Sequence, residues 1–170
     1  MSTVRNARAM RLPGEEPASP RHAYLEAVTQ IERLHRQLLD VIKDELDRTQ
    51  QGDINSVQAL LLFNIGDAEL TAGELRTRGH YLGSNVSYNL KKLVETGFIH
   101  HQRSDLDRRS VRVRLTEKGR KVRALVDALY ERHIGSVSEI GVASVEELEA
   151  MNSVLRRLER FWSDQIRYRL

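Results

Sequence analysis

The run from Phe98 to Gly119 constrains this chain more than any other. Two short stretches of strand-forming residues, Phe98–Arg103 and Val111–Leu115, flank the polar, arginine-rich segment Ser104–Ser110. Val111, Val113 and Leu115 alternate with Arg112 and Arg114, the pattern of a half-buried strand with its cations outward. The reading is a β-hairpin that carries arginines away from the body of a domain, towards a polyanion. Thr116 follows at once as the cap of a helix.

The distribution of charge supports that direction. Residues 76–123 hold 13 Lys and Arg against four Asp and Glu, a local net of +9 in a chain whose total is +3. A basic middle between acidic flanks implies one face for an anion and another part with a different task. At 170 residues the chain can build one domain with a real core, or one domain plus dimerisation arms. Aromatic residues are only 5 %, which argues against a large all-β core. With no cysteine, disulfides, a thiolate nucleophile and a cysteine redox sensor are excluded. No run reaches the roughly 18 apolar residues of a membrane span, and the N-terminus has no apolar signal core, so a cytoplasmic protein with no membrane partner is expected.

Along the chain, residues 1–20 contain Pro13, Pro17 and Pro20 and read as a flexible arm. Over 21–50, Tyr24, Val28, Ile31, Leu34, Leu38, Val41, Ile42 and Leu46 recur at threes and fours, which predicts a long amphipathic helix whose stripe needs a partner. Asn55 or Ser56 caps a helix through Phe63, and Gly66-Asp67 turns the chain. Thr71 and Glu74 fit a capping box for a short third helix. Ser84 or Asn85 caps a fourth helix to Thr96, with Val86, Leu90, Leu93 and Val94 inward and Gly97 closing it in the left-handed conformation. These pieces make a helix-turn-helix. The helix from Thr116 is expected to run about 18 residues, with a weak break between Gly135 and Gly141. Ser144 and Glu147 then box a last helix bearing Leu148, Met151, Leu155, Leu158, Trp162 and Ile166. The expected organisation is a flexible arm at 1–20, a long helix at 21–50, a helix-turn-helix with its hairpin at 54–118 and two further helices at 119–170.

The fourth helix presents Ser84, Asn85, Ser87, Tyr88, Asn89, Lys91 and Lys92 on its outer faces. Small polar side chains near a helix N-terminus suit base edges, and the two lysines suit backbone phosphates. In the hairpin, Arg108 and Arg109 suit a narrow minor groove, while Arg103, Arg112 and Arg114 lie close enough for phosphates. Asp107 is an acid among cations, and orienting an arginine through a bidentate pair gives it a role.

The two-helix reader, the hairpin segment Asp107-Arg108-Arg109-Ser110 and the helix opening Leu115-Thr116-Glu117-Lys118-Gly119 resemble the MarR family of winged-helix transcription regulators. The resemblance covers roughly residues 25–168 and is most specific from Asp107 to Gly119. It implies a mainly α fold with a small β-wing, in which 54–118 is a winged helix-turn-helix and 21–50 and 119–170 are dimerisation helices, the first and last helices interlocking between two subunits. It implies that Ser84–Lys92 enter the major groove, that Arg109 enters the minor groove and that Asp107 holds it. It also implies a small-molecule effector in a crevice beside the dimer helices, for which His35, Leu38, Leu61, Phe63 and Tyr130 are candidates. The family's cysteine-based oxidant sensing cannot operate here, and the arm before residue 20 is outside the pattern.

No metal or other cofactor is expected. His100 and His101 are neighbours on a strand and face opposite sides, and the other four histidines are scattered. No glycine-rich phosphate loop, nucleophile elbow or His-Glu-x-x-His helix marks an enzyme. The expected function is sequence-specific binding to double-stranded DNA as a homodimer on a pseudo-palindromic operator, with repression by blocking polymerase as the default. The alternatives are an architectural protein that binds duplex DNA without sequence preference, and a winged helix used as a protein-interaction module.

Overall fold

The computed structural model describes residues 19–71, 74, 83–103 and 111–168, with the side chains of 83–86, 103 and 111 excepted. The chain divides into two units, Met1–Val41 and Ile42–Leu170. Helix α1 (Pro20–Arg48) begins in the first and ends in the second. In the first unit it carries Tyr24, Leu25 and Leu34 exposed, with Ile31 and Leu38 half-buried.

The second unit holds the core. Ile42 and Leu46 at the end of α1 are buried. Helix α2 (Ser56–Ile65) is capped by Asn55, whose side chain accepts from the Gln58 amide at 2.9 Å while the Gln58 side chain accepts from the Asn55 amide at 3.2 Å. This is the reciprocal box that satisfies two otherwise orphan donors. Ala59, Leu61, Leu62 and Ile65 are buried, and α2 packs along helix α4 (Glu117–Ile140). Helix α3 (Gly83–Glu95) buries Leu90 and Leu93. Its end is a Schellman motif: Phe98 N–H reaches Leu93 O at 2.8 Å, Gly97 N–H reaches Val94 O at 3.0 Å, and Gly97 has φ +75°. Helix α5 (Val145–Tyr168) completes the set, boxed by Ser144 and Glu147 as the spacing predicts.

The sheet has three strands where the sequence shows two. Besides β2 (Ile99–Arg103) and β3 (Val111–Leu115), a two-residue strand β1 (Leu70–Thr71) pairs antiparallel with β3, giving the order β1-β3-β2. Leu70 lies opposite Val113 and Thr71 opposite Arg112. Thr71 also forms the expected box with Glu74; the third helix beyond it lies outside the described residues.

Three local expectations need correction. Gly135 does not interrupt α4, which continues to Ile140 and ends at Gly141 in the left-handed conformation. A lone glycine inside a helix costs only about 1 kcal/mol, too little to break a helix supported on both sides. Helix α2 runs past Phe63 to Ile65, because Ile65 fills the core. Val94 is exposed rather than inward, since Leu90 and Leu93 already cover the buried face of α3.

Candidate nucleic-acid interface

The base of the hairpin is fixed by the segment Leu115–Gly119. The Thr116 amide donates to Phe98 O at 3.0 Å, and its hydroxyl accepts from the Gly119 amide at 3.1 Å while donating towards Gly97 O at 2.8 Å and Phe98 O at 3.0 Å. Lys118 Nζ sits 4.2 Å from the Phe98 ring centroid and donates to Thr96 O at 3.3 Å and Asp53 Oδ2 at 3.2 Å. One short motif thus ties the end of α3, the start of β2 and the start of α4 together.

On α3, Ser87, Tyr88, Lys91 and Lys92 are exposed and Asn89 is half-buried. Tyr88 is 63 % accessible, unusual for so large a side chain. The side chains of Ser84 and Asn85 lie outside the described residues. Both lysines face Glu95: Lys91 Nζ lies 3.9 Å from Oε1 and Lys92 Nζ 3.0 Å from Oε2. The Lys92 hydrogen bond holds the Glu95 carboxyl below its usual range and raises the Lys92 ammonium.

In the hairpin, Asp107, Arg108 and Arg109 fall outside the described residues, as does the side chain of Arg103. Arg112 is described. It stands between Thr71 and Gln102 on the outer face of the sheet, with Arg114 on the same face opposite His100. Val113 and Leu115 are buried on the other face. Arg112 Nη1 lies 3.4 Å from Glu69 Oε2, in the loop before β1. In the same loop Asp67 holds Arg123 of α4 at 2.9 Å.

The effector candidates divide between the two units. Leu61 is 1 % accessible and belongs to the core. Phe63 and Tyr130 are half-buried and meet edge to face at 5.0 Å. His35 is exposed and Leu38 half-buried on α1, in the other unit. A cavity of about 830 Å³ opens at the α4–α5 turn, lined by Tyr130, His133, Ile134, Val137, Val145 and Leu148 among others. Tyr130 alone of the five candidates borders it. Among the described residues no His, Asp or Glu cluster is placed to hold a metal ion, and no helix is long and apolar enough to cross a membrane.

Sequence reading missed Glu69, Glu45 and the cavity. A two-residue strand has no period, so nothing announced that Glu69 would meet β3. Glu45 sits on the buried side of α1, where an acid breaks the apolar pattern. It is 6 % accessible and bonded to Arg48 at 2.7 Å and Arg132 of α4 at 2.8 Å.

The architecture and the sequence have known counterparts. Residues 52–110 match the family model described as MarR family. The chain is 39 % identical over 145 residues to the exopolysaccharide II synthesis transcriptional activator ExpG of Rhizobium meliloti (strain 1021), covering 85 % of this chain and 74 % of that protein. Its fold resembles Streptococcus pneumoniae FabT, solved in complex with DNA, at TM-score 0.64 and 25 % identity over 83 % of this chain and 98 % of that one. It also resembles a mutant MarR from E. coli, solved with operator DNA, at TM-score 0.64 and 18 % identity over 80 % and 95 % of the two chains. With a mainly helical fold around a small antiparallel sheet, a family model over residues 52–110 and a relative 39 % identical that the chain covers over 74 % of its length, the chain belongs to the MarR family of winged-helix transcription regulators.

Proposed function

We propose that this chain regulates transcription by binding double-stranded DNA as a homodimer. Helix α3 of each protomer reads a major groove through Ser84, Asn85, Ser87, Tyr88 and Asn89, and Lys91 and Lys92 meet phosphates. The hairpin reaches the adjacent minor groove with Arg108 and Arg109, Asp107 orienting Arg109, while Arg103 and Arg112 take the flanking phosphates. The observation that carries this reading is the pairing of an exposed polar face on α3 with a sheet that turns Arg112 and Arg114 outward.

Two readers related by a two-fold axis require half-sites about one helical turn apart, and therefore a pseudo-palindromic operator. The proposed site of action is the cytoplasm, where such an operator resides. The ExpG relative is an activator, which favours activation over polymerase occlusion as the sign of regulation. A small molecule that shifts the spacing of the two readers changes affinity, because both must fit at once. Phe63 and Tyr130, half-buried and in ring contact, are the effector candidates of the Ile42–Leu170 unit that lie outside its core.

Selection of bound fragments from genomic DNA tests the reading. The expected consensus is a palindrome. Equal retention of random fragments supports the architectural alternative, and no retention supports the interaction module. A reporter driven from the selected promoter then gives the sign, rising with the protein if it activates.

A further inference from the structure

Three cations of the proposed DNA-facing surface are held by carboxylates of the same chain. Arg112 meets Glu69 at 3.4 Å, and Lys91 and Lys92 flank Glu95 at 3.9 and 3.0 Å. The two acids come from separate elements, the loop before β1 and the last turn of α3. The pairs are open to solvent: Arg112 and Glu69 side chains are 48 % and 40 % accessible, Lys92 and Glu95 47 % and 44 %. A rigid positioning pair is bidentate and shielded, whereas these have the single-contact, exposed form that exchanges readily.

We propose that Glu69 and Glu95 are internal counter-ions that these cations exchange for DNA phosphates, and that they hold down the affinity for duplex DNA of any sequence. The inference rests on the DNA-binding reading above. A phosphate that takes Arg112 or Lys92 leaves a carboxylate unpaired beside the polyanion. That carboxylate repels the backbone and recruits a solution cation, so the complex releases fewer net ions than its contacts alone would. The penalty falls on every duplex alike, because phosphate contacts carry no sequence information. Only a site that also satisfies the base-reading face of α3 offsets it. Weak binding to bulk DNA is thereby built into the same residues that supply affinity.

The test uses the full chain with Glu69→Gln, Glu95→Gln and both together, on a labelled random-sequence duplex read by fluorescence anisotropy across about 50–200 mM KCl. Each single variant is expected to bind this duplex about two- to five-fold more tightly, as befits an exposed ion pair. The slope of log affinity against log salt should steepen by up to about one for each carboxylate removed, with the double variant near the sum of the two. Unchanged thermal melting shows that the fold is intact. Variants that bind no more tightly than the parent, or with an unchanged slope, overturn the counter-ion role. Weaker binding instead makes the acids positioning groups and equally overturns it. A parent chain that fails to bind duplex DNA at low salt overturns the DNA reading itself, and this inference with it.

Discussion

A Cβ placed on Gly119 would lie 2.1 Å from the carbonyl oxygen of Phe98. That oxygen belongs to the backbone and already accepts from the Thr116 amide, so it has no room to retreat. Glycine is required here for close approach, not for an unusual φ. Gly119→Ala is expected to lower stability by roughly 3 kcal/mol, at the upper end for overpacking. Thr116→Ala, which removes the cap, should cost about 1–2 kcal/mol. Urea unfolding of both variants checks the order; an alanine at 119 that costs less than one at 116 would refute the steric account. The motif Leu115–Gly119 was visible in the sequence as a helix opening, and Thr116 caps as its residue type dictates. The contact that forbids a methyl group at 119 was not visible, because it joins residues 21 apart in the chain.

At the scale of elements, the helices were legible wherever a cap and an apolar stripe coincided, as at Asn55, Thr116 and Ser144. What escaped depends on neighbours distant in sequence. Strand β1 exists because β3 offers it a free edge, and Glu45 is tolerated in the core because Arg48 and Arg132 meet it there. The polar face of α3 is legible from its spacing, because Ser87, Tyr88, Lys91 and Lys92 fall outside the Leu90–Leu93 stripe. The Glu45 cluster joins the end of α1 to α4 and has a pH signature. Its hydrogen bond to Arg48, with further help from Arg132, holds the carboxyl below its ordinary 4.5. A group whose folded-state value is depressed contributes fully above its unfolded value, and that contribution is lost as pH falls through the lowered one. Glu45→Gln should therefore lower Tm by about 2–4 °C at pH 7 and by progressively less below pH about 4. A deficit of constant size down to acid pH would show that packing, not charge, is responsible.

For the whole molecule, the decisive fact is that α5 buries none of its residues. Met151, Val154, Leu155 and Phe161 are between 36 % and 51 % accessible, and Ile134, Val142 and Val145 extend the apolar surface to the α4–α5 turn. So much contiguous apolar surface on one long helix is expected to be covered by another chain. Under the proposed homodimer a second copy covers this surface and supplies the second reader that a palindrome needs, so pairing and operator choice would be one property. Replacing Leu155 and Leu158 together by Glu should then separate them. Light scattering is expected to give twice the 19.6 kDa of one chain for the parent and a single chain for the variant. Far-UV circular dichroism should stay helical, because neither residue is buried in the core. Palindromic DNA should be bound far more weakly by the variant, each half-site then being engaged without its partner. A variant that keeps dimer mass places the interface away from α5, and one that dissociates yet binds the palindrome undiminished would break the link between pairing and reading.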